Sequence, residues 1–238
     1  MIDIIQQFWQ QFLWTDGYHL SGLAVTMWLL SLSIAMGFVT SIPLAVVRVS
    51  KTRWAAGAVW LFTYVFRGTP LYVQLLFFYT GVYSLDAVHH VDLLNAFFRD
   101  GYNCTILAFA LNTCAYTTEI FAGAIKATPY GEIEAGRAYG MNKFTLYRRV
   151  IIPSALRRAL PAYSNEVILM LHSTTVAFTA TVPDILKVAR DANSATYDSF
   201  NAFGLAALLY LCITFILVGL FRKAEKKWLA HLRPASAH

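Results

Sequence analysis

The chain has 238 residues, of which 58% are hydrophobic and 13% charged, and its net charge is +6. Charged residues are about half as frequent as in soluble domains, so lipid rather than water is the solvent this composition fits. The basic residues fall in blocks between long apolar runs, which sets nucleic-acid binding aside, and the three cysteines (Cys104, Cys114, Cys212) have neither CxxC nor Cys/His spacing, which excludes a disulfide framework or thiolate metal site.

Residues 1–47 contain no Lys or Arg, so a cleavable signal peptide is not expected and the first apolar run reads as a retained span. Five spans are predicted, within about 20–47, 54–83, 103–125, 159–182 and 200–221, each reaching the roughly 20 residues that cross about 30 Å of hydrocarbon. Backbone groups in lipid must bond within their own segment, so each span is predicted helical, giving an all-α bundle in one domain over 1–238. Pro43 predicts a kink in the first span. The second is longer than a crossing needs; either its early part lies along the interface or it bends at Gly68-Thr69-Pro70.

Charge orients these spans. The first loop carries Arg48, Lys51 and Arg53. The third carries Lys126, Arg137, Lys143, Arg148, Arg149, Arg157 and Arg158, and the C-terminal tail Arg222, Lys223, Lys226, Lys227 and Arg233. The alternate segments lean acidic, with Asp3, Asp16, Asp86, Asp92, Asp100, Asp184, Asp191 and Asp198. The N-terminus is therefore expected outside and the C-terminus inside.

The third loop, 126–158, is the largest inward piece. It reads as a short helix, a break at Gly140, and a second amphipathic helix ending before Pro153. Ala135, Ala138 and Tyr139 share one face of the first helix, and Phe144 and Tyr147 one face of the second. Such a knob suits docking of another protein, or a connector resting on anionic lipid.

Within this loop, Glu134-Ala135-Gly136-xxx-Gly140 followed by Val150-x-Ile152-Pro153 resembles the EAA loop of ATP-binding-cassette importer permeases, with Gly136, Val150 and Ile152 as departures. Phe66-Arg67-Gly68-Thr69-Pro70-Leu71-Tyr72-Val73-Gln74, Ala115-Tyr116-Thr117-Thr118-Glu119 and Ser164-Asn165-Glu166 are similar to the polar amino-acid branch of that family. The similarity is strongest to subunits serving histidine, lysine, arginine and ornithine. Ala122, where many members carry Arg, and His172-Ser173, where many carry Lys-Asp, depart from the broader branch. The resemblance implies a type I importer permease whose loop seats in a cytoplasmic ATPase, with Glu132, Glu134, Ala135, Gly136, Ala138, Gly140 and Phe144 as the coupling surface. Gly136 in place of Ala implies added flexibility there. It also implies a second, related permease subunit, two ATPase copies, periplasmic binding proteins and residence in the bacterial inner membrane.

Ionisable groups at membrane depth are site candidates because charge there is costly. Glu119 and Glu166 each fall seven residues from the inner end of their span, roughly 10 Å deep. Two carboxylates at one level suit the ammonium groups of a cationic substrate; alternatively they pair with Arg67 or cap helix ends. Arg67 is a gate or carboxylate-binding residue, or a structural partner of Glu119. His172 is a ligand or a core hydrogen-bonder, and Asn165, with Asn112, Tyr116, Ser164, Ser173 and Thr174, lines a polar path or glues helices.

The chain has no GxxxxGK[ST], HExxH, GxSxG or metal-ligand cluster, so no catalytic, cofactor or metal residue is expected, and ATP and Mg are expected on a partner ATPase. A stand-alone secondary transporter is the alternative, but internal repeats are not visible. A membrane enzyme using Glu166 and His172 is disfavoured because residues six apart lie on opposite helix faces.

Overall fold

The structure, a computed structural model, describes residues 2–229. Arg233 and the side chain of Asp3, counted above for orientation, lie outside the described side chains. Every named element among the described residues is helical.

Helix α1 (Ile2–Leu13) precedes the first expected span and was not anticipated. Ile4, Phe8 and Phe12 recur at i, i+4 and i+8 and are buried, so one stripe of α1 joins the core while Trp9 and Trp14 face outward. Helix α2 (Gly22–Arg48) follows and runs through Pro43 without a break.

The second expected span divides. Helix α3 (Arg53–Gly68) ends where Thr69 and Pro70 become extended, and α4 (Leu71–Leu76) restarts after Pro70 and continues through a π turn over Phe77–Val82. Proline disfavours helical conformation in the residue before it, so the break falls at Thr69. Of the two readings of this long segment, the structure has the bend. Two short helices, α5 (Asp86–His89) and α6 (Asp92–Arg99), fill the next loop.

Helix α7 (Gly101–Lys126) is the central rod, capped by the Asp100 carboxylate, which accepts from the Tyr102 N–H at 2.8 Å. It packs chiefly on α2, with α3, α4 and α10 (Ile152–Ser173) around it. Phe109, Leu29, Leu75, Leu171 and Ile185 are buried in the main core. A smaller cluster at the other end joins Ala45, Phe121, Ala122 and Ala159, with Phe38 edge-on to Phe121 at 5.4 Å. Ala122 is 1% exposed there, so a long charged side chain at this position would not fit this packing.

After α10 the chain tightens into a 3-10 turn over Thr174–Ala180, reverses at Thr181 (φ 63°), and enters α11 (Ile185–Thr196). Asp184, counted above only as a loop charge, is fully buried at the start of α11. Its carboxylate accepts from the N–H groups of Leu186 and Lys187 and from the Tyr210 hydroxyl. Helix α12 (Ser199–Trp228) closes the bundle.

Two helices, α2 and α12, are by length and composition long and apolar enough to cross a membrane. Helix α7 is also 26 residues long, but its inward face carries Asn112, Thr113, Thr117 and Thr118, which lowers its apolar content.

Candidate functional site

Breaking a helix frees carbonyls that need new hydrogen-bond partners. Here three side chains take them up. Gln74 Nε2 donates to the Phe66 carbonyl at 2.7 Å and the Thr69 carbonyl at 3.0 Å. Asn112 Nδ2 donates to the same Phe66 carbonyl and to Gln74 Oε1, both at 3.2 Å. The Tyr116 hydroxyl donates to the Arg67 carbonyl at 3.3 Å. The Arg67-Gly68-Thr69-Pro70 bend is thus fixed by α4 and α7.

Beside the bend lies a cavity of about 480 Å³. Arg67, Gly68, Thr69 and Pro70 form one wall, Asn112 and Tyr116 of α7 the second, and Glu166, Leu169, Met170 and Ser173 of α10 the third. The Arg67 guanidinium sits 5.3 Å from the Tyr116 ring centroid, a cation–π arrangement that orients it without consuming its N–H donors. Glu166 is 7% exposed, and among the described residues no hydrogen-bond donor reaches its carboxylate. A guanidinium and a carboxylate lining one cavity from different helices can receive the carboxylate and ammonium of a zwitterion, and the volume suits a molecule of amino-acid size.

The other expected path residues lie elsewhere. Glu119 does not line the cavity. Its Oε1 accepts from Arg48 Nε at 2.8 Å and from the Thr63 hydroxyl at 2.7 Å, tying α2, α3 and α7 together. The expected partner Arg67 is not the one it has: Arg48, assigned above only to a loop, takes that place. Asn165 is exposed on α10, outside the cavity lining. His172 is also outside it, with Nε2 3.2 Å from the Thr214 hydroxyl of α12. Both sit off the cavity face because the helical period carries them around α10 from Glu166. Ser164 and Thr174 likewise bond within the bundle, to the carbonyls of Pro161 and Leu171.

The 126–158 loop folds into a knob. Helix α8 (Tyr130–Ala138) ends in a Schellman turn: the Gly140 N–H donates to Arg137 and the Met141 N–H to Gly136. Gly140 takes φ +72°, the left-handed conformation this turn requires. Asn142 then caps α9 (Lys143–Leu146), its Oδ1 accepting from the Thr145 N–H at 2.8 Å. The second helix does not end before Pro153. A π turn over Tyr147–Ile151 carries it directly into α10. The wider turn removes the clash between the proline ring and the preceding carbonyls, so the loop and the fourth expected span form one helical rod.

Glu134, Ala135, Ala138, Tyr139, Gly140 and Phe144 are exposed on the knob, Tyr139 by 86% and Phe144 by 74%. Gly136 is not on that surface: it is buried, and a Cβ there would meet Leu146 Cδ1 at 2.5 Å. Its smallness packs α8 onto α9, which replaces the flexibility expected of it. Glu132 turns inward, its Oε1 2.8 Å from Arg158 Nη2 of α10.

Residues 33–229 match the family described as "Binding-protein-dependent transport system inner membrane component". The chain belongs to this family. It is 63% identical over 238 residues, the full length of both chains, to the histidine/lysine/arginine/ornithine transport system permease protein HisM of Escherichia coli (strain K12). It is 65% identical over 232 residues to the protein of the same name in Salmonella typhimurium (strain LT2), covering 98% of this chain and 99% of that one. A solved structure described as an amino acid ABC transporter with histidines superposes with a TM-score of 0.73 at 29% identity, over 85% of this chain and 90% of the other. The chain is therefore a multi-pass inner-membrane permease subunit of a transport system that works with a binding protein. Of its functional features, Arg48 and the Glu132–Arg158 contact were missed in the sequence. Their partners are 71 and 26 residues away, beyond any local pattern.

Proposed function

We propose that this subunit passes basic amino acids (histidine, lysine, arginine and ornithine) across the inner membrane, driven by ATP hydrolysis on a separate chain. The observation that carries the reading is the cavity lined by both Arg67 and Glu166. The α-carboxylate of the amino acid meets Arg67, and an ammonium group meets Glu166. The names of the relatives, at above 60% identity over essentially the whole chain, support the substrate class.

The chain crosses the membrane five times with its N-terminus in the periplasm and its C-terminus in the cytoplasm, a topology supported by the loop charges. It pairs with a related permease subunit that closes the open side of the cavity. Two copies of a cytoplasmic ATPase hold ATP and Mg and receive the knob at Glu134, Ala135, Ala138, Gly140 and Phe144. A periplasmic binding protein delivers the amino acid, and ATP-driven closure of the ATPase pair turns the cavity outward to accept it.

The test is uptake into proteoliposomes by the assembled importer carrying Glu166→Gln. Loss of uptake with the ATPase still co-purifying supports the reading. Full uptake of lysine and arginine by that variant would overturn the role of Glu166.

A further inference from the structure

We propose that the Glu132–Arg158 ion pair is an internal strut that joins the knob to α10 as one moving body, so that displacement of α8 reaches Glu166 without slack. The inference rests on the reading of the knob as the ATPase-facing surface and adds a positioning role for two residues that turn away from that surface.

Helix α8 is attached to the rest of the knob through the turn at Gly140 and Asn142. Its other end joins α7 through residues 127–129, and a push on α8 can be spent on rotation about these two short connections. The ion pair adds a direct tie to α10. Glu132 lies in the first turn of α8, at the end away from the Gly140 turn, and reaches Arg158 at 2.8 Å. Arg158 is itself steadied by its own helix, its Nε lying 3.4 Å from the Ser154 hydroxyl. The two side chains are 37% and 22% exposed, so the pair is only partly screened. The packing of Gly136 on Leu146 closes the gap between these two points. Among the described residues this is the one ion pair of the knob; Glu134, Arg137, Lys143, Arg148 and Arg149 are all exposed. From Arg158 the cavity is close: Glu166 lies eight residues along the same helix, roughly 12 Å.

The experiment measures amino acid imported per ATP hydrolysed by the assembled importer in proteoliposomes, with ATPase co-purification scored in parallel. E132A and R158A are each expected to keep the ATPase bound and to lower the transport-to-hydrolysis ratio about fivefold, in the range of one partly screened ion pair. The exchanged pair E132R/R158E is expected to recover the ratio to within about twofold of the unmodified protein. E132Q keeps a hydrogen-bond acceptor for Arg158 and is expected to fall between; it serves where an alanine variant does not accumulate in the membrane. An unchanged ratio in E132A, R158A and E132Q would overturn the strut. So would loss of the bound ATPase on Glu132 substitution without recovery in the exchanged pair, which would make Glu132 a direct ATPase contact. Phe144→Ala, which leaves the strut untouched, tests the docking reading separately. Loss of the ATPase in F144A beside an unchanged ratio in E132A and R158A would bring down the strut alone.

Discussion

Replacing Glu119 with Ala removes the acceptor at the junction of α2, α3 and α7. Two bonds to its carboxylate are lost, one from Arg48 Nε at 2.8 Å and one from the Thr63 hydroxyl at 2.7 Å. Bonds to a charged group are worth about 1.5–3 kcal/mol each. The Arg48 and Glu119 side chains are both 22% exposed, so water partly re-solvates the stranded guanidinium, and the expected loss is about 3 kcal/mol in total. Glu119→Gln keeps an acceptor for both donors and loses only the ion pair, for about 1 kcal/mol. The double replacement R48M/E119M strands no charge and is expected to cost less than E119A. Unfolding of the purified chain in detergent, followed by heat or denaturant, reads these differences; for a chain of this length about 3 kcal/mol corresponds to a fall of roughly 6–12 °C in Tm. A Tm shift under about 2 °C for E119A would refute the reasoning. So would strict additivity of R48A and E119A, since residues in direct contact couple. Abolished uptake by E119Q at unchanged Tm would return Glu119 to the substrate path.

Other outcomes follow from single contacts. Gly101→Ala places a Cβ 2.1 Å from the Ala180 carbonyl oxygen, a backbone atom that cannot swing away, and is expected to cost about 1–3 kcal/mol in the same unfolding assay. Gly140→Ala keeps the knob but strains the left-handed turn by about 1–2 kcal/mol, and is expected to speed proteolysis between α8 and α9. Gln74→Leu leaves the Thr69 carbonyl without its Nε2 donor and deprives the Phe66 carbonyl of one of two, at about 1–3 kcal/mol, with a matching loss of uptake through a loosened cavity wall. Asp198 caps α12, and the Asn201 side-chain amide, then the Asn201 backbone N–H, hold its carboxyl below the usual 3.8. Its folded value is depressed, so its contribution is intact above 3.8 and is lost as acid carries the pH down through the folded value. Amide exchange at the start of α12 should rise there, and D198N should flatten that dependence.

The parts legible in the sequence were those written in local chemistry. Pro70 after Gly68-Thr69 forces a break because proline restricts its predecessor. Gly140 marks the end of α8 because a Schellman turn needs a left-handed residue. The parts not legible depend on which helix faces which. Nothing near Arg48 in the sequence says that it meets Glu119, and the period of α10 decides that Glu166 enters the cavity while Asn165 and His172 turn away. One omission and one misreading had readable signals. Ile4, Phe8 and Phe12 carry helical spacing that identifies α1. Pro153 reads as a stop only while an α-helical turn is assumed, and the π turn before it lifts that constraint.

The unbroken helical path from Lys143 to Ser173 has a geometric consequence. Glu166 stands 23 residues from Lys143 at its start, a lever arm of about 34 Å. A tilt of about 10° about that end sweeps the carboxylate through about 6 Å, more than the ~3.8 Å between consecutive Cα atoms. A small change of angle at the Lys143 end is therefore enough to shift Glu166 by more than one residue length, with the secondary structure of the arm kept intact.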